Sequence, residues 1–126
     1  MVVTRNVSVL HTLAAKTATF NIDVDNLHAK GAIFFLEITA KAGTTPTLDI
    51  KLQYRDVTSG AFVDIPLAIF AQKVAEASDV LTIYPGIAVI ANESVSGVIP
   101  KNYRVVCTIG GTTPSFTFSL TADYLS

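Results

Sequence analysis

The stretch Gly43-Thr44-Thr45-Pro46-Thr47 recurs as Gly111-Thr112-Thr113-Pro114-Ser115, and each copy stands between two runs that alternate apolar and polar residues as half-buried strands do. Ala32-Ile33-Phe34-Phe35-Leu36-Glu37-Ile38-Thr39-Ala40-Lys41 precedes the first copy, and Leu48-Asp49-Ile50-Lys51-Leu52-Gln53-Tyr54 follows it. The second copy lies between Tyr103-Arg104-Val105-Val106-Cys107-Thr108-Ile109 and Phe116-Thr117-Phe118-Ser119-Leu120. Gly and Pro in such a position read as turn residues, so two similar hairpins at corresponding corners of the fold are predicted. Superposing the copies sets Val106 where Ile38 stands, whereas alternation sends Val105, Cys107 and Ile109 to the core. The two units therefore differ by one residue in register, and a bulge at Gly110-Gly111 is expected to absorb it.

The remaining segments extend the same pattern. Residues 17–24 alternate, with Phe20, Ile22 and Val24 on one face and Asn21, Asp23 and Asp25 on the other. Residues 25–31 supply turn chemistry, as do Thr58-Ser59-Gly60 and Pro85-Gly86. Phe62-Val63-Asp64-Ile65 is a short strand stopped by Pro66, and residues 80–84 form another. Residues 67–78 carry a helical periodicity through Leu67, Phe70, Ala71, Val74 and Ala75, against an all-β background. Residues 87–100 read as a long excursion, apolar at first and polar afterwards, and are the expected functional loop. The whole predicts an all-β chain, an antiparallel β-sandwich or jelly-roll-like barrel of about seven to nine short strands. Residues 1–15 form an N-terminal arm or edge strand, and residues 16–126 a single sandwich domain.

Composition bounds the function. With 126 residues the chain is one domain, large enough to bury a core without disulfides or metal. Nine basic and ten acidic residues are scattered without blocks, which gives no support to nucleic-acid binding or to a charged membrane patch. No apolar run approaches the roughly 18 residues of a membrane helix, and the N-terminus lacks the charged and apolar regions of a signal peptide. Half the residues are apolar and mean hydropathy is +0.49, so part of the apolar surface is expected against a partner. Ile33 and Phe35 make the first half of their strand apolar on both faces. With the apolar residues of the N-terminal stretch (Val2, Val3, Val7, Val9, Leu10, Leu13) and of the excursion (Ile87, Val89, Ile90), they are the candidate partner-binding residues.

Chemistry-bearing motifs are missing. His11 and His28 have no metal spacing, Cys107 is the sole cysteine, and Asn21, Asp23 and Asp25 lack a calcium-loop glycine pattern. No Gly-x-Ser-x-Gly elbow occurs, and Gly-Thr-Thr-Pro is not followed by the Gly-Lys-Ser/Thr of a phosphate loop. The chain is read as a non-enzyme without cofactor or metal. Tyr54, Tyr84, Tyr103 and Tyr124 leave a carbohydrate-binding surface module as an alternative of another class.

From Asp23 to its C-terminus the sequence resembles a group of small virion-associated proteins of tailed bacteriophages. The resemblance is carried by Gly31-Ala32-Ile33-Phe34-Phe35-Leu36-Glu37-Ile38-Thr39-Ala40, by both Gly-Thr-Thr-Pro stretches, by Leu81-Thr82-Ile83-Tyr84-Pro85-Gly86 and by Pro100-Lys101-Asn102-Tyr103-Arg104-Val105-Val106. It implies a β-sandwich on a phage particle, with strand and turn over residues 67–78, acting as a capsid decoration (cement) protein. The implied partner is the major capsid protein, the implied assembly a homo-oligomer with a trimer favoured, and the implied location the virion surface after synthesis in the bacterial cytoplasm. A head–tail connector or tail component is the alternative within the same resemblance.

Overall fold

The computed structural model describes residues 6–26 and 29–125. It is all-β, with seven strands among the described residues: β1 (Asn6–Lys16), β2 (Phe20–Asp25), β3 (Gly31–Arg55), β4 (Phe62–Ile69), β5 (Ala77–Ile83), β6 (Ser94–Val95) and β7 (Asn102–Leu125). They form one open sheet in which β3 and β7 lie side by side, antiparallel, along their whole length. All pairings are antiparallel except the short one between β5 and β6.

The two Gly-Thr-Thr-Pro stretches are not hairpin turns. Each lies in the middle of a long strand, and they face one another, with Thr44 opposite Thr112 and register breaks on either side. Gly43 and Gly111 have φ of 104° and 112°, and Thr45 and Thr113 have φ of 47° and 46°. Two left-handed residues followed by a proline bulge each strand and turn it through a corner, the device by which a strand passes from one sheet layer to the other. The turn reading failed because the same residue types that reverse a chain also bend one.

The bend folds the sheet over itself. One layer runs β1, second half of β7, first half of β3, β5, β6; the other runs β2, first half of β7, second half of β3, β4. Ring contacts cross between the layers: Phe34 meets Tyr103 edge-on at 6.2 Å, and Phe20 lies 6.0 Å from Phe118. The inward residues are those that alternation selects: Ala32, Phe34, Leu36 and Ile38, then Leu48, Ile50 and Leu52 on β3, with Val105, Cys107, Ile109, Phe116, Phe118 and Leu120 on β7. Burying each large side chain contributes about 1.5 to 3 kcal/mol. The expected one-residue register difference is present, since Val105 and Cys107 are fully buried and Val106 is not.

Residues 67–78 contain no helix. β4 runs through Pro66 to Ile69, Lys73 bridges to Leu48, and β5 starts at Ala77. Only Phe70 of the helical-pattern set is buried, next to Ala68, while Leu67 and Val74 are exposed. Lys73 Nζ lies 2.5 Å from the Asp79 carboxylate, closing this side of the sandwich between a residue bridged to one layer and a strand of the other.

His11 sits where β1 loses register with β7. It is 9% exposed, with Phe118 at 4.5 Å and Phe20 at 5.2 Å. One ring nitrogen bonds to the backbone of Ala14, and Nε2 has no partner. Burial, reinforced by the Lys16 charge, holds its pKa below the ordinary 6.5. The unfolded chain then binds the proton more tightly than the folded one, so the histidine lowers stability progressively as pH falls through 6.5 towards the depressed folded value. We expect the urea midpoint to fall between pH 7 and pH 5 and His11→Leu to flatten that fall; an unchanged slope in the variant would assign the effect elsewhere.

Candidate docking surfaces

The two outer faces of the sandwich differ in chemistry. On the layer containing β2 and β4, Arg104 donates to Asp23 through Nε at 2.7 Å and Nη2 at 3.3 Å. Its guanidinium also lies 3.5 Å above the Phe62 ring. Arg55 approaches Asp23 and Asp25, and Asp64 accepts from Lys51 and from Gln53. Hydrogen bonding from Arg104 keeps the Asp23 carboxyl below its usual range and raises the pKa of Arg104. The aligned Asn21, Asp23 and Asp25 thus form part of a solvated, ion-paired face. No cluster of metal-ligating side chains exists among the described residues.

The other outer face mixes exposed apolar side chains with polar ones. Register places Val9, Thr121, Phe35 and Val80 in one row across β1, β7, β3 and β5, and Val7, Asp123, Ile33 and Thr82 in the next. Phe35 is 45% exposed and Val9 59%. A third row holds Ser119, Glu37 and Ser78, where the Ser78 hydroxyl donates to Glu37. Directly opposed side chains on neighbouring strands lie about 5 Å apart, so Phe35 and Val80 are neighbours, while Thr121 and Asp123 of β7 stand between Val7 and Val9 on β1 and Ile33 and Phe35 on β3.

The candidate partner residues divide accordingly. Val7, Val9, Ile33 and Phe35 are brought together on this face, whereas Leu10 turns towards the core and Leu13 is exposed near the β1 irregularity. Val2 and Val3 lie outside the described residues, as does His28. Val80 completes the row; it stands among Ser78 and Thr82 on the polar side of its strand, a break in alternation that could have marked it.

Val89 and Ile90 are exposed and Ile87 half-buried in the 84–97 loop. The Ser94 hydroxyl donates to the Ala88 carbonyl at 2.7 Å and accepts from Ile90 N–H, while Ser94 and Glu93 N–H groups both reach the Ile90 carbonyl. Asn92, left-handed at φ 63°, donates to the Ile69 carbonyl. These bonds hold the apolar tip beside β4.

The other chemistry-bearing candidates turn inward. Tyr103 and Tyr124 are buried and share a hydroxyl–hydroxyl hydrogen bond of 2.5 Å, which removes two of the four tyrosines from any exposed sugar platform. Burial pushes the Cys107 thiol up to about 12, an unreactive state. A cleft of about 320 Å³ beside the strand crossing is lined by Lys41, Thr45, Pro46, Thr47 and Val74 and gathers no converging titratable groups. The chain matches no protein-family model, no curated protein and no solved structure.

Proposed function

We propose that this chain is a non-enzymatic structural protein of a phage particle, a capsid decoration protein that docks its apolar outer face on the major capsid protein and bridges neighbouring coat subunits. The observation that carries the reading is the contrast between the outer faces: one satisfies its charges internally, and the other leaves Val7 and Val9 on β1 and Phe35 and Val80 on β3 and β5 exposed on one face, with Thr121 and Asp123 of β7 between the two pairs. An exposed apolar patch marks an interaction site in a soluble chain. The resemblance of residues 23–126 to small virion proteins supplies the particle, and homo-oligomerisation, with a trimer favoured, belongs to the same proposal.

Cosedimentation with expanded coat-protein shells tests it. Phe35→Glu places a carboxylate at the centre of the row and is expected to weaken binding about tenfold to a hundredfold, as loss of an aromatic anchor does. Thr108→Lys, opposite Asp49 on the polar face, is expected to bind as wild type. Failure of the wild-type protein to bind shells, or equal binding by Phe35→Glu, would sink the proposal. Symmetry of bound density in electron microscopy separates a capsid site from a connector or tail ring.

A further inference from the structure

β1 is the edge of its layer and pairs with β7 alone. Among its described side chains only His11 is buried; Val7, Val9 and Leu13 are more than half exposed, and Leu10 and Ala14 are half-buried. The pairing also breaks on both sides of the histidine. β1 carries one extra residue between Val9 and His11 and another between His11 and Ala14, and each bulge interrupts the hydrogen-bond ladder. An edge strand with few buried side chains and a broken ladder opens at lower cost than the strands of the core. The principal side-chain anchor of β1 is therefore an imidazole.

That anchor can be charged. Its ring lies 4.5 Å from that of Phe118 on β7 and 5.2 Å from that of Phe20 on β2, at the position opposite Leu120. One ring nitrogen is taken by the Ala14 backbone, so an added proton goes to Nε2, which has no partner. A charged N–H there loses water and gains no acceptor, and the attraction of aromatic walls for a cation offsets only part of that cost. Lys16, 4.9 Å from the centre of the Phe20 ring, adds a like charge. The acids of the packed strands do not compensate: Asp23 and Asp25 of β2 face Arg104 and Arg55, and Asp123 of β7 stands opposite Val7 in the outer row. No carboxylate among the described residues contributes to the titration of His11.

We infer that His11 is an acid-sensitive latch: once protonated at Nε2, its ring leaves the niche between Phe20 and Phe118, and β1 separates from β7 while the remaining strands stay folded. In the open arm the imidazole titrates near the ordinary 6.5, and in the closed arm lower. The closed state is thus fully favoured above 6.5, and opening grows as pH falls from 6.5 towards the closed-state value, by at most about tenfold per pH unit for one proton. Opening bares the backbone edge of the second half of β7 and carries Val7 and Val9 away from the face that holds Phe35 and Val80. The latch stands on this chain alone, whatever that face binds.

Hydrogen exchange of the full chain at pH 7, 6 and 5, corrected for the intrinsic exchange rate, tests it by comparing residues 6–16 with residues 31–41 of the central strand. Protection of 6–16 is expected to fall about tenfold from pH 7 to pH 5 while that of 31–41 holds. His11→Leu, which fills the niche with a side chain that cannot titrate, is expected to keep 6–16 equally protected across the range. In wild type the midpoint of the loosening should follow the ring titration of His11 seen by NMR, a measurement that needs no variant to fold. Equal acid loosening of both segments would mean global unfolding and overturn the latch. So would constant protection of 6–16 in wild type, the same acid loss in His11→Leu, or a loosening that does not track the His11 ring.

Discussion

Gly43→Ala is expected to lower stability by about 3 to 5 kcal/mol, combining left-handed strain with displacement of a packed backbone, and Gly111→Ala by a similar amount. A Cβ on Gly43 would lie 2.6 Å from the Thr113 carbonyl oxygen and 2.9 Å from Pro114 Cα; one on Gly111 would lie 2.7 Å from the Thr45 oxygen and 2.9 Å from Pro46 Cα. Every one of these neighbours is main chain of the facing strand, so no side-chain rotation relieves the contact. Gly60 supplies the control. Its φ is also positive, at 76°, but nothing lies within 4 Å of the added carbon, so Gly60→Ala should cost only about 1 kcal/mol. Urea unfolding of the three variants separates the two terms. A Gly43→Ala cost no larger than that of Gly60→Ala would mean that the strands do not press together at the crossing. The double variant at Gly43 and Gly111 is expected not to fold, because total stabilities of such domains are about 5 to 15 kcal/mol.

That crossing also shows how much of the molecule is legible in the sequence. Alternation identified the inward residues of β3 and β7 and the one-residue register difference between them, because a strand with one buried face cannot slip without exposing its core set. Gly-Thr-Thr-Pro was legible as a break in extended structure but not as a bend within a strand. The distinction depends on which segment lies opposite, and the partner of each stretch is its own copy 68 residues away. The helical period at Leu67, Phe70 and Val74 competed with the strand-and-turn reading that the structure bears out: Leu67 and Val74 are exposed, so what resembled a helical stripe was two surface residues flanking one core phenylalanine.

The candidate surface was half legible. Ile33 and Phe35 announce themselves as apolar residues on the polar side of their strand, and Val7 and Val9 as apolar residues in the N-terminal stretch. Their placement on one face is a product of strand order, with the second half of β7 lying between β1 and β3. No local pattern encodes that order. Leu67 was unreadable as an exposed, strained residue, since nothing in Ile65-Pro66-Leu67-Ala68 states that φ is positive at a leucine.

Phe118→Ala is the second substitution expected to have a large effect, about 3 to 5 kcal/mol of destabilisation. Phe118 is fully buried, pairs with Ala14 on β1 and Ile38 on β3, and touches the rings of His11 and Phe20. One ring therefore joins both central strands to both strands of the N-terminal segment. Its removal has a further consequence that cavity formation alone would not produce. The Phe118 ring is one wall of the site that keeps water from His11 Nε2. With that wall gone the histidine can be hydrated when charged, its folded pKa returns towards 6.5, and the acid-induced loss of stability shrinks. Measured against pH, the penalty for Phe118→Ala should therefore be larger at pH 7 than at pH 5. In the His11→Leu background that pH dependence should vanish, because no titrating group remains in the site, while most of the cavity cost persists. A penalty independent of pH in both backgrounds would show that Phe118 does not control the hydration of His11 and that its role is packing alone.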